Sequence, residues 1–103
     1  MKLSFMESTR TLLDACLSLD GGALVLQACD PSRNIRRHWH IELRRDLFGW
    51  IVVEWRWGRI GTAGQSRSLA FEQEGEAWRL VRRLLVRRAG AERRIGVAYR
   101  PAS

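Results

Sequence analysis

The residues with the most chemical potential lie in one nine-residue run, Trp57-Gly58-Arg59-Ile60-Gly61-Thr62-Ala63-Gly64-Gln65. A tryptophan followed by glycine can keep one face of its ring open, because glycine brings no side chain to cover it. An open indole face stacks on a sugar or a base. Arg59, two residues on, carries a planar fork of N–H donors that matches a phosphate. Glycines at 58, 61 and 64 let backbone N–H groups approach an anion closely. Each residue also has a plainer reading. Trp57 can be core, as tryptophans at strand ends often are, and Arg59 can pair with a carboxylate such as Glu54 to fix the turn.

Other chemistry is sparse. His38 and His40 fall on one face of an expected strand, which would suit a metal, but no third ligand has suitable spacing, so none is expected. They are read as surface histidines. Cys16 and Cys29 show neither metal spacing nor a disulfide framework, and Cys29 is read as a small buried hydrophobe. Glu42 and Asp46 do not make an acid–base pair, and no nucleophile–base pair or Walker-type phosphate loop is present. The chain is therefore read as non-catalytic, with no cofactor and no small-molecule substrate.

Charge narrows the partner. The 103 residues carry a net +7, and it is uneven: residues 1–30 sum to −2 and residues 31–103 to +9. Such a field draws polyanions, either nucleic acid or an anionic membrane surface. All but one of the basic residues are arginines. A G+C-rich coding sequence also produces that bias, so net charge is the firmer signal. No stretch is apolar enough to span a bilayer, and no amphipathic helix with an exposed apolar face suggests a membrane surface. Met1–Phe5 is too short for a secretory signal. The expected compartment is the cytoplasm.

These residues need a scaffold, and hydrophobic patterning supplies one. Strands are expected at Leu24–Cys29, His38–Arg44, Trp50–Trp57 and Arg67–Phe71, with turns at Asp30–Asn34 and Asp46–Gly49. In the second strand Trp39, Ile41 and Leu43 share a face. In the third, Ile51, Val53, Trp55 and Trp57 share one. Trp39, Trp50, Trp55 and Trp78 are read as core or edge residues. Glu72–Ala89 reads as a helix with Ala77, Leu80, Val81, Leu84 and Leu85 as its apolar stripe and Gly90 as its stop. Ile95–Arg100 reads as a last short strand. The expected fold is α+β: a single small domain, an antiparallel sheet with one helix packed on a face. Residues 1–22 are set apart as an N-terminal extension, either a short helix over Thr11–Leu19 or disordered, and residues 23–103 form the domain.

The nine-residue run resembles the signature of the WGR domain, W-G-R-[IV]-G-T followed by x-G-Q, at every position. The flanks agree. Asn34 precedes an aromatic-bearing strand, with Trp39 in the aromatic place, and Phe71 precedes a helix with Ala77 near its start. A closing Gly-Tyr corresponds to Gly96 and Tyr99, two residues further apart. The resemblance covers residues 23–100. WGR domains occur in poly(ADP-ribose) polymerases and as small stand-alone bacterial proteins. In the polymerases they bind DNA at strand breaks. It implies that Trp57, Arg59 and Asn34 contact a terminal nucleotide, and that the partner is DNA rather than RNA. The expected nucleic-acid-binding set is Asn34, Trp57, Gly58, Arg59, Gln65, Arg83 and Arg87. Weak sequence preference and marked salt sensitivity should follow. The alternative is a protein-interaction module using the same Trp and Arg surface, since both residues are favoured interface anchors.

Overall fold

The computed structural model describes residues 17–18 and 21–102. Strands β1 (Leu17–Ser18), β2 (Gly21–Asp30), β3 (Ile35–Arg45), β4 (Ile51–Arg59) and β5 (Gln65–Phe71) lie side by side in that order, each antiparallel to the next. Helix α1 (Glu74–Ala89) follows, then a short helix α2 (Ala91–Ile95) and a two-residue strand β6 (Arg100–Pro101) that pairs with Leu26 and Gln27 of β2. This is the expected α+β fold.

Alternation makes the sheet two-faced. Leu24 pairs with Ile41 and Leu26 with Trp39; Ile41 in turn lies opposite Trp55, and Leu43 opposite Val53. The inward residues of three strands thus form one continuous apolar surface, and all of these side chains are buried. Helix α1 lays Ala77, Leu80, Val81 and Leu85, spaced by three and four residues, onto that surface. Its first turn carries Glu74 and Glu76 and its last Arg87 and Arg88, which suits the helix dipole at both ends. Arg45 donates to Glu74 at 2.9 Å and ties the end of β3 to the start of α1.

Four details differ from the sequence reading. Cys29 is exposed, because the inward series of β2 is Leu24, Leu26 and Ala28, which turns Cys29 outward. His38 is buried, at 6% exposure, and takes part in a loop described below. Trp50 stands just outside β4 and is largely exposed. The stretch Ile95–Arg100 is not a strand. Gly90 ends α1 at φ −85°, outside the left-handed region, and the chain restarts as α2 through good helix formers. Gly96, at φ 79°, then ends α2 with its N–H on the Glu92 carbonyl, so only Arg100–Pro101 is extended. The proposed helix over Thr11–Leu19 lies outside the described residues except for Leu17–Ser18, which pair as a strand with Gly21–Gly22.

The β3–β4 turn is rigid yet apolar. The Asp46 carboxylate accepts the N–H groups of Phe48 and Trp50 at 2.9 and 3.0 Å, and Gly49 takes φ 80°. Leu47 and Phe48 project into solvent at 100% and 86% exposure. Core and tip should therefore respond oppositely to truncation. Leu85→Ala is expected to lower unfolding free energy by about 2–5 kcal/mol. Phe48→Ser should stay within about 0.5 kcal/mol of the parent. Urea unfolding followed by tryptophan fluorescence measures both.

Candidate functional site

The loop after Trp57 is folded back on its own strand. Thr62 closes a turn on Arg59, its N–H on the Arg59 carbonyl at 3.0 Å and its hydroxyl on the same oxygen at 2.7 Å. Gly61, at φ 90°, occupies the third turn position, where only a residue tolerant of positive φ fits. The buried His38 ring donates from Nε2 to the Thr62 carbonyl at 3.2 Å. Ile60 N–H reaches across to the Arg36 carbonyl of β3 at 3.0 Å. Gly64, at φ 70°, then packs closely against the strand. A Cβ on Gly64 would run into the Trp57 carbonyl oxygen, and a Cβ on Gly58 would lie 2.7 Å from the Gly64 Cα. Gln65 re-enters the sheet opposite Trp57. Every glycine of the run that the spacing singled out except Gly61 is thus required by close approach, and Gly61 by its turn.

Arg59 is held by Asn34. Its Nη2 donates to Asn34 Oδ1 at 2.8 Å, and its Nη1 lies 3.4 Å from the Asn34 carbonyl oxygen. The reading in which Glu54 holds Arg59 is thereby replaced. In an alternating strand Glu54 faces the side opposite Arg59, because the two are five residues apart. Asn34 is itself fixed. It sits at φ 55°, ψ 37° at the end of a 3-10 turn over Pro31–Arg33, its N–H on the Pro31 carbonyl, a conformation that asparagine tolerates better than most residues. Asp30 staples that turn by accepting from Ser32 and Arg33. Those bonds, Ser32's first, hold the Asp30 carboxyl below its usual range. Arg33 also donates to the Gly96 carbonyl at 2.9 Å, joining the turn to the C-terminal segment.

Beside this corner lies a groove of about 670 Å³, where the sheet runs out beyond the last turn of α1. Asn34, Trp57, Gly58 and Arg59 line it, as do Trp55, Leu84, Ile95 and Tyr99. So do Arg36, Arg37, Arg67, Arg87, Arg88 and Arg94, and among the described residues no carboxylate does. Arg88 is the least ordinary of these. Its guanidinium lies 4.9 Å from the Trp39 ring centroid and 5.9 Å from that of Tyr99. Burial, with Arg94 and Arg87 nearby, lowers its pKa. Arg94 is drawn in by the Arg87 carbonyl at the end of α1.

The structure brings together five of the seven residues singled out from sequence: Asn34, Trp57, Gly58, Arg59 and Arg87. Gln65 pairs with Trp57 in the sheet, and neither Gln65 nor Arg83 lines the groove. Trp57 is only half-buried and packs against the core cluster with part of its ring. Sequence reading missed Arg36, Arg37 and Arg67 as groove residues, although strand alternation places Arg37, Arg59 and Arg67 on the helix-covered face. It missed Arg88, Arg94 and Tyr99 because only the fold of the C-terminal segment brings them there. His38 and His40 lie edge to face, 5.0 Å between centroids. Burial, then the neighbouring His38 and Arg56, lowers the His40 pKa.

Comparison with known proteins came out as follows. The family model of the WGR domain matches residues 22–92. The uncharacterized protein y4dW of Sinorhizobium fredii (strain NBRC 101917 / NGR234) is 34% identical in a 93-residue alignment that covers 82% of this chain and 46% of that protein. The chain thus spans about half the length of this curated relative. No solved structure matches.

Gly58→Ala and Gly64→Ala should each destabilise the fold by about 2–3 kcal/mol, since backbone must shift and, at Gly64, a positive φ must be held by a residue with a Cβ. Gly75→Ala, with open space around its Cβ and a helical site, should instead be neutral or stabilising by up to about 1 kcal/mol. Thermal unfolding monitored by circular dichroism separates the three.

Proposed function

The chain belongs to the WGR-domain family, and on that premise we propose that it is a non-catalytic module that binds DNA at ends or breaks. In poly(ADP-ribose) polymerases the WGR domain is a nucleic-acid-binding type of module. The observation that carries the reading here is the corner itself. Trp57, Arg59 and Asn34 line one groove with several arginines and, among the described residues, no carboxylate, and Arg59 bonds Asn34 there. A half-buried indole offers a stacking face of roughly 1–3 kcal/mol per nucleotide contact. Arg59, oriented by Asn34, offers its remaining donors to a phosphate. The arginines around them add affinity without sequence preference and make it fall steeply with salt. No helix among the described residues is long and apolar enough to cross a membrane, and a cytoplasmic site of action fits this role.

Fluorescence anisotropy tests it, with labelled duplexes ending in a free 5′ phosphate set against hairpin-closed duplex, single-stranded DNA and RNA. Open-ended duplex should bind most tightly at low salt. The Trp57→Ala/Arg59→Ala double variant should lose about 10- to 100-fold, the loss of one stacking contact and one phosphate contact. Equal binding to every polyanion, unchanged in the double variant, would mean that the charge acts alone. Capture of a protein that survives nuclease and high salt would move the Trp-Arg surface to the protein-interaction reading.

Asn34→Gly isolates the positioning of Arg59, because glycine keeps the left-handed backbone and deletes only the amide. It should fold normally and bind open ends about 3- to 10-fold more weakly, the net worth of one ordinary hydrogen bond.

A further inference from the structure

The helix wall of the groove holds a cation outside the Trp57–Arg59–Asn34 corner. Arg88 is wedged between the rings of Trp39 and Tyr99. Its Nε is buried and has no hydrogen-bond partner. Among the described residues no carboxylate lines the groove and no salt bridge includes Arg88. Arg94 and Arg87 are like charges that oppose it, and its ring neighbour Tyr99 is neutral at neutral pH. A half-buried guanidinium among like charges raises the free energy of the folded chain, and contact with two aromatic faces offsets only part of that cost. An anionic ligand in the groove would supply the missing counter-charge.

The sheet register sets where that anion would lie. Arg59 pairs with Arg37, and two residues along the same strands Trp57 pairs with Trp39. Arg88 sits over the Trp39 ring, one inward-facing row along from the Arg37–Arg59 pair, and successive inward rows of an antiparallel strand lie about 7 Å apart. That step is comparable to the phosphate-to-phosphate spacing along one nucleic-acid strand. We propose that Arg88 is a second phosphate subsite, taking the phosphate one nucleotide away from the one held by Arg59. The groove then receives a strand with at least two consecutive phosphates rather than a lone terminal nucleotide. This proposal rests on the reading of Arg59 as a phosphate ligand.

The test uses the full chain and 5′-phosphorylated duplexes in which each of the first three phosphodiesters of the 5′ strand is replaced, one at a time, by an uncharged methylphosphonate. Anisotropy is read over a salt series for the parent, Arg59→Gln and Arg88→Gln. For the parent, one replacement should weaken binding about 3- to 10-fold and reduce the salt slope by about 1. Arg88→Gln should show the same loss on the unmodified duplex and no further loss at that one linkage, while Arg59→Gln stays sensitive there. Arg88→Gln binding like the parent, or losing further at every linkage, would overturn the subsite. Should Arg88→Gln fail to fold, the parent alone decides: sensitivity at no linkage beyond one that Arg59→Gln silences overturns the proposal. If the parent binds none of the duplexes, the end-binding reading falls and the subsite with it. If Arg59→Gln weakens binding and Arg88→Gln does not, only the subsite falls.

Discussion

Gly64 lies against strand β4, at the Trp57 carbonyl and the Cα of Gly58, at a separation that leaves no room for a Cβ on either glycine. The rest of the corner depends on that close approach. It reverses the chain within a few residues, so that Gln65 re-enters the sheet directly opposite Trp57. Thr62 bonds the Arg59 carbonyl and accepts from the buried His38 ring, and these hydrogen bonds close the loop. With the loop folded back on itself, none of residues 60–64 lines the groove at the end of β4. Trp57 is left half-exposed, and Arg59 is free to reach Asn34 across β3. The small residues of the run are thus the means by which a large aromatic and a long cation are presented together.

The same end of the molecule concentrates positive charge with no carboxylate lining the groove among the described residues. Ion pairs elsewhere are conventional: Asp30 with Arg33 on the 3-10 turn, and Glu74 with Arg45 at the far end of the sheet. In the groove, arginines from β3, β4, β5, α1 and α2 face one another, and aromatic rings rather than carboxylates support the innermost. Mutual repulsion there lowers stability. The core under α1, built from three strands of alternating inward residues, supplies enough apolar burial for the fold to tolerate it. A stable sheet-and-helix scaffold and a poorly neutralised rim are separate parts of the chain, so the rim can be specialised for an anion.

Much of the scaffold was legible because it rests on short-range periodicity. Trp39, Ile41 and Leu43 alternate, as do Ile51, Val53 and Trp55, and Ala77, Leu80, Val81 and Leu85 recur at helical spacing. These patterns state which face is buried without knowledge of the partner. The corner was legible for a different reason, a match of nine consecutive residues to a known signature. What escaped depends on long-range geometry. His38 looks like a surface residue by alternation, yet it is buried because the loop at 60–64 folds over it. Cys29 looks apolar enough to be core, but Ala28 occupies the inward place. Residues 95–100 have β-branched and aromatic character, yet Gly90 and Gly96 divide the segment into a helix and a turn. Arg88 reads as one of several arginines at the C-terminal end of the helix, where the dipole favours cations, and only the placement of Trp39 and Tyr99 sets it apart.

The central claim is that nucleic acid occupies the groove at the end of β4. An NMR titration of isotopically labelled protein with a short 5′-phosphorylated duplex tests it most directly. The account predicts that the perturbed signals will be the amides of Asn34, Gly58 and Arg59, the Trp57 indole N–H, and the side chains of Arg87 and Arg88, with the hairpin tip at Leu47 and Phe48 unmoved. Perturbations centred on the tip or on the uncovered sheet face around His40 and Arg56, with the Trp57 indole unchanged, would contradict it.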